Sequence, residues 1–155
     1  MIAGLGVDMV EIARMRDALE RHPRMRERCF SPEERAYCEG RNRPVVHYAL
    51  RFAAKEAVLK ALGTGFSGMR FTDVEVMRDP KGRPVPRLSG RAAEVAAEMG
   101  VSEIMLSLSF THENAVASAV AMTAEERPPQ PEPTPHERLR ASFKDARGVL
   151  DEIDG

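Results

Sequence analysis

The chain is predicted to be an α+β domain, with helices packed on a largely antiparallel sheet. Three observations predict it. The order of patterns is strand, helices, two strands, helix, two strands, so helices and hairpins are segregated instead of alternating one for one. Two pairs of alternating apolar and polar runs are each joined by a turn-sized gap, as hairpins are. Chain length matches one ordinary domain with a single core.

Met1 to Val7 is apolar with Gly4 and Gly6, which predicts a buried strand approached closely by other backbone. From Val10 to about His22, the spacing of Val10, Ile12, Met15 and Leu19 predicts a helix that Pro23 interrupts. Ser31-Pro32-Glu33-Glu34 combines an N-cap, a first-turn proline and first-turn acids, so a short helix starts there. Pro44 to Leu62 is the longest predicted helix, opened by proline, rich in alanine and leucine, and closed by Gly63. Phe71 to Met77 alternates as a strand, Asp79-Pro80-Lys81-Gly82 is a turn, and Val85 to Leu88 is the returning strand. Arg91 to Met99 reads as an alanine-rich helix capped by Ser89 and stopped by Gly100. Ile104 to Thr111 and Ala115 to Met122 are the last two strands, around His112-Glu113-Asn114.

Residues 1–124 form the predicted domain, and residues 125–155 a different kind of sequence. Arg127 to Pro135 holds five prolines, which predicts an extended linker. His136 to Ile153 reads as a short charged helix.

Charge narrows the range of partners. With 23 basic and 24 acidic side chains the net charge is −1, so no global field calls for nucleic acid. No stretch approaches the ~20 apolar residues of a membrane span. The N-terminus lacks the basic leader and apolar run of a signal peptide, because Asp8 and Glu11 interrupt it. Cys29 and Cys38 lack metal-ligand spacing and are expected as free thiols in a reducing, cytoplasmic setting. Arginine is the usual cation: only Lys55, Lys60, Lys81 and Lys144 are lysines, so each lysine merits individual inspection.

Three segments carry candidate chemistry. Asp8 follows the first strand at Gly6-Val7-Asp8, a place where sites are built, although an aspartate there is commonly a helix cap. Glu56 and Lys60 are four apart in Arg51-Phe52-Ala53-Ala54-Lys55-Glu56-Ala57-Val58-Leu59-Lys60 and share a helix face. A surface ion pair would look the same. The continuation Gly63-Thr64-Gly65 goes beyond a plain C-cap, and its glycines let backbone N–H groups approach an anion. In Ser109-Phe110-Thr111-His112-Glu113, alternation predicts Ser109 and Thr111 on one strand face with His112 at its mouth. Such a set could bind phosphate oxygens or be satisfied within a hairpin.

Taken in order, these segments resemble the holo-acyl-carrier-protein synthases of the phosphopantetheinyl transferase superfamily. The matching stretches are Gly4-Leu5-Gly6-Val7-Asp8-Met9-Val10-Glu11-Ile12, Arg51 to Ala57 with Lys60-Ala61-Leu62-Gly63-Thr64-Gly65, Asp79-Pro80-Lys81-Gly82-Arg83-Pro84, and Ser109-Phe110-Thr111-His112. The resemblance spans Met1 to about Met122 and leaves the tail uncovered.

It implies transfer of 4′-phosphopantetheine from coenzyme A to a serine of apo-acyl carrier protein, with release of adenosine 3′,5′-bisphosphate. It also implies that Asp8 and Glu56 bind Mg²⁺, which suits hard carboxylate oxygens without Cys or His nearby. Glu11 and Glu113 are candidates for an outer or third position. Lys60 is implied as a phosphate-binding cation, with Lys55 projecting elsewhere. Gly63, Thr64 and Gly65 would approach the nucleotide, and Ser109, Thr111 and His112 would contact its phosphates. The serine's proton would pass to Glu56, to Glu113 or to a metal-bound water, with a water oriented by Glu56 preferred. Arg14, Arg21, Arg24 and Arg28 would dock the acidic carrier, although Glu20 and Glu27 dilute that charge. A homotrimer with sites at subunit boundaries is implied as well. Two other functions fit the residues alone: a different Mg²⁺-dependent nucleotide enzyme, and a non-catalytic module for acidic partners.

Overall fold

The structure is a computed structural model that describes residues 1–65, 67–124 and Leu139. The predicted linker and charged helix of residues 125–155 lie, apart from Leu139, outside the described residues.

The elements run β1 (Ile2–Glu11), α1 (Ile12–Arg21), α2 (Met25–Cys29), α3 (Pro32–Glu39), α4 (Pro44–Ala61), a 3₁₀ turn (Phe71–Asp73), β2 (Val74–Arg78), β3 (Pro84–Leu88), α5 (Gly90–Glu98), β4 (Val101–Phe110) and β5 (Asn114–Thr123). β5 pairs antiparallel with both β1 and β4, giving a three-stranded sheet in the order β1-β5-β4. β2 and β3 form a separate antiparallel hairpin. The α+β class and the antiparallel pairing are as the sequence predicts.

α4 lies across one face of the three-stranded sheet, and small residues on both sides let it come close. Ala53, Ala54, Ala57 and Ala61 of the helix and Ala115, Ala117, Ala119 and Ala121 of β5 are all buried. Gly4 and Gly6 complete the fit: a Cβ on either would overlap the carbonyl oxygen of Ala61 or Ala57. A second core of Ile12, Met15, Leu19, Phe30 and Tyr48 fills the space between α1, α3 and α4.

Several expectations are corrected. β1 does not end at Val7 but continues to Glu11, because Asp8 to Glu11 go on pairing with Ala117 to Asn114. Val10 points inward from a strand as it would from a helix, so its apolar character did not separate the two. β1 is not buried on both faces either: Leu5, Val7 and Met9 are 65%, 53% and 63% exposed. Phe71 opens a 3₁₀ turn instead of a strand, and its ring stacks on Phe52 at 4.8 Å. Ser89 occupies the N-cap position of α5 without a side-chain capping bond. Thr111 lies just outside β4.

Candidate active site

Alternation along β1 puts Gly4, Gly6 and Asp8 on the face that α4 covers. Asp8 is therefore not at the strand's end but within it, opposite Ala117 and turned toward the helix. There it meets the face of α4 that carries Glu56 and Lys60. Asp8 and Glu56 line one cleft of about 430 Å³, with Arg14, Met15, Met25 and Phe52 among its walls. Lys60 Nζ donates to Asp8 Oδ1 at 2.9 Å and to the Val7 carbonyl at 3.0 Å. The shared helix face thus serves a long-range pair, since Lys60 reaches across to another element.

Electrostatics register the crowding. Burial raises the Glu56 carboxyl above its usual value, the nearby Asp8 carboxylate adds to the rise, and Lys60 opposes it. The hydrogen bond to Asp8 raises the Lys60 ammonium. Two carboxylates with a shared cation are a site prepared for positive charge. Their hard oxygens fit Mg²⁺, which takes one or two protein carboxylates and completes its octahedron with phosphate and water. Among the described residues no three potential ligands cluster, so Glu11 and Glu113 do not join Asp8 and Glu56 as a ligand set. Both of these acids are exposed, at the Ile12 N–H to Glu113 carbonyl contact.

Directly beyond α4, Gly63 and Gly65 adopt φ of 69° and 53°, a left-handed conformation that favours glycine. Thr64 between them donates its hydroxyl to Met69 Sδ at 3.6 Å.

Ser109, Thr111 and His112 are not brought to this cleft within one chain. β5 stands between β1 and β4, so Asp8 and Ser109 lie on opposite edges of the sheet. Ser109 is also on the other face, since it pairs with half-buried Val116 whereas Asp8 pairs with buried Ala117. Thr111 Oγ1 accepts the backbone N–H groups of Glu113 and Asn114 at 3.3 and 3.1 Å, which stabilises the turn, and His112 is exposed.

A cationic cluster was missed in the sequence. The Arg43 guanidinium sits over Phe110, next to Thr111. Arg51, 4% exposed, stacks over the Tyr37 ring at 3.8 Å, and its Nε has no hydrogen-bond partner among the described atoms. Arg78 donates to the Tyr37 hydroxyl at 2.8 Å. Arg51, Arg78, Arg83 and His47 line a cavity of about 450 Å³. Burial lowers the His47 imidazole, and the surrounding arginines lower it further. The only sequence signal was Arg51 itself, at the head of the α4 motif.

Arg21, Arg24 and Arg28 are exposed and line a separate cavity of about 420 Å³ with Met25. Met25 and Arg14 also line the acidic cleft, so this arginine surface adjoins it. Arg26 is committed elsewhere, to the Leu19 carbonyl and to Glu39.

Lys55, one residue before Glu56, points the opposite way into the core and is fully buried. It bonds Glu34 Oε2 at 2.8 Å and the carbonyls of Phe71 and Val74. Glu34 also accepts from the backbone of Ser31 and Val76. This network ties α3, α4 and β2 together.

The α4-covered sheet and the two-carboxylate cleft define a class, and comparison bears it out. Residues 4–121 match the family model of the 4′-phosphopantetheinyl transferase superfamily, and the chain belongs to that superfamily. Within it, the chain is 51% identical over 123 residues to the holo-[acyl-carrier-protein] synthase of Desulforudis audaxviator, covering 79% of this chain and 94% of that one. The acyl carrier protein synthase of Plasmodium yoelii with ADP bound superposes with a TM-score of 0.73 at 33% identity, over 81% of this chain and 98% of that one. The holo-[acyl-carrier-protein] synthase of Helicobacter pylori in complex with coenzyme A gives 0.67 at 30% identity, over 76% and 99%.

Proposed function

We propose that the protein is a holo-acyl-carrier-protein synthase, moving 4′-phosphopantetheine from coenzyme A to a serine of apo-acyl carrier protein. The observation that carries this is the convergence of Asp8 and Glu56 on one cleft with Lys60 bonded across it. Similarity to synthases crystallised with coenzyme A or ADP supports the same substrate.

In the reaction the serine oxygen bonds to the β-phosphorus, and the bond from that phosphorus to the leaving adenosine 3′,5′-bisphosphate breaks. Asp8 and Glu56 would hold Mg²⁺, which neutralises charge on the diphosphate as it is cleaved. Lys60 turns its ammonium to a phosphate oxygen and stabilises the leaving charge. Glu56 would also orient a water through which the serine's proton leaves. Thr64 and Gly65 would offer backbone N–H groups to the nucleotide, and Gly63, whose own N–H donates to the Lys60 carbonyl at 3.0 Å, would set the turn that presents them.

The carrier docks on Arg14, Arg21, Arg24 and Arg28. Its acidic surface is matched by exposed cations beside the cleft, in an otherwise neutral protein. The enzyme works as a homotrimer. The outer sheet face supports this: exposed Leu5, Val7, Met9 and Met105 line up with Val116 and Val120 on neighbouring strands and need covering. Ser109 lies on that same outer face, so a second copy packed there meets it. Ser109, Thr111 and His112, with Arg43 over the neighbouring Phe110, would then act in a neighbour's cleft and add to the cations, Lys60 and Arg14, already there. The cytoplasm suits buried, unpaired Cys29 and Cys38, and no described helix is long and apolar enough to cross a membrane.

Incubation with coenzyme A, Mg²⁺ and apo-carrier, read by intact mass, should add one phosphopantetheine to the carrier. The gain should vanish without Mg²⁺ and in Asp8→Ala or Glu56→Ala. No gain on any carrier would reject the proposal, and a gain independent of both acids would reject their role.

A further inference from the structure

We infer that Lys60 is a resident counter-ion that competes with the divalent ion for Asp8, so that metal and diphosphate bind together far better than the metal binds alone. This rests on the proposed Mg²⁺ site and concerns how that site fills.

Lys60 Nζ sits 2.9 Å from Asp8 Oδ1, on a carboxylate the metal would use, and the Val7 carbonyl at 3.0 Å holds it there. A bare divalent ion must therefore enter against a positive charge already in contact with its ligand. Arg14 lines the same cleft and adds to that opposition. The pair is built to be displaced. Its lysine side chain is 51% exposed and its aspartate 17%, so the cation can swing out while the acid stays in place. An ion pair this open to water is weak.

A diphosphate reverses the balance. An ammonium has three donors, so Lys60 can take a phosphate oxygen and release Asp8. The same diphosphate brings oxygen ligands for the metal. Each partner then raises the other's affinity by the same factor, since coupling between bound species is reciprocal. Lys60 is thereby a positioning residue for the metal as well as a contact for the phosphate. In the empty protein it offsets one of the two converging carboxylate charges.

The test is binding of Mn²⁺, a spectroscopic substitute for Mg²⁺, counted by electron paramagnetic resonance with and without coenzyme A and with no carrier present. Wild type, Lys60→Met, Asp8→Asn and Lys81→Met would be compared, each checked for folding by circular dichroism. Lys81 lies on the exposed turn before β3 and controls for loss of one positive charge anywhere. Lys60→Met should bind Mn²⁺ alone about three- to tenfold more tightly than wild type. Coenzyme A should tighten Mn²⁺ much less in Lys60→Met than in wild type, and Lys81→Met should follow wild type. Equal affinity for Mn²⁺ alone in wild type and Lys60→Met overturns the inference. If Asp8→Asn still abolishes binding in that case, the metal site itself stands. Absence of Mn²⁺ binding in every protein, even with coenzyme A, overturns both.

Discussion

Gly6 of β1 lies against the Ala57 carbonyl oxygen of α4 with no room between them for a methyl group. That contact sets how close the helix comes to the strand. Two residues farther along the same strand face is Asp8, and one residue before Ala57 is Glu56. The spacing of the two carboxylates follows from backbone packing that only glycine and alanine permit.

Replacing Gly6 by alanine should therefore damage the site as well as the fold. Overpacking of this kind costs roughly 1–3 kcal/mol. A lowered thermal midpoint is expected, together with slower transfer at temperatures where the variant is still folded. Normal transfer by folded Gly6→Ala would show that the helix-strand distance does not set the site.

The Lys55–Glu34 pair should matter for stability and little for chemistry. Lys55 is 0% exposed and its ammonium is lowered by burial, with Glu34 opposing that shift. Removing one member of a buried pair leaves the other uncompensated, at a cost of roughly 3–5 kcal/mol. Urea unfolding of Lys55→Met should display that loss, and Lys55→Met with Glu34→Gln should lose less than the two single changes added together.

Glu56 makes stability depend on pH in a definite direction. Its carboxyl is raised from 4.5 in the folded, metal-free protein, so folding favours the protonated form. The unfolded state then binds fewer protons than the folded one, and this contribution is present below pH 4.5 and lost as pH rises through the raised value. Glu56→Gln mimics the neutral form. In chelator it should match wild type near pH 4 and be the more stable protein at neutral pH, by denaturant titration at both. A difference of opposite sign would contradict the proximity of Asp8 and the burial of Glu56.

The arginine surface should act on the carrier and not on coenzyme A. Arg21→Glu or Arg24→Glu is expected to raise KM for the carrier by about three- to tenfold, roughly 1 kcal/mol. KM for coenzyme A should stay unchanged. Added salt should shrink the difference between wild type and variant, because exposed charges are screened. A defect insensitive to salt would point to lost packing at Met25 instead.

Much of this site was legible before folding. The close backbone approach at Gly4 and Gly6, the shared face of Glu56 and Lys60, and the glycines after α4 are local features, whereas Asp8 was expected after the strand and not within it. Lys55 could be separated from Glu56 for the same reason, since adjacent helix residues point apart, but its partner could not. Glu34 is 21 residues away, and its SP-type capping motif reads as a surface N-cap.

Sequence alone determined most of the elements, though not α2 or the full length of β1, and which side chains share a face within an element. Those follow from backbone geometry repeated every two or 3.6 residues; the sequence's motifs carried the resemblance to the family. Tertiary structure decided which face is covered and who meets whom. β1 runs on past Val7 because β5 offers it partners, Ser109 falls on the face away from Asp8 because it pairs with Val116 where Asp8 pairs with Ala117, and Arg51 is buried over Tyr37 because α3 packs beside α4. Such pairings join residues distant along the chain, and no local period encodes them.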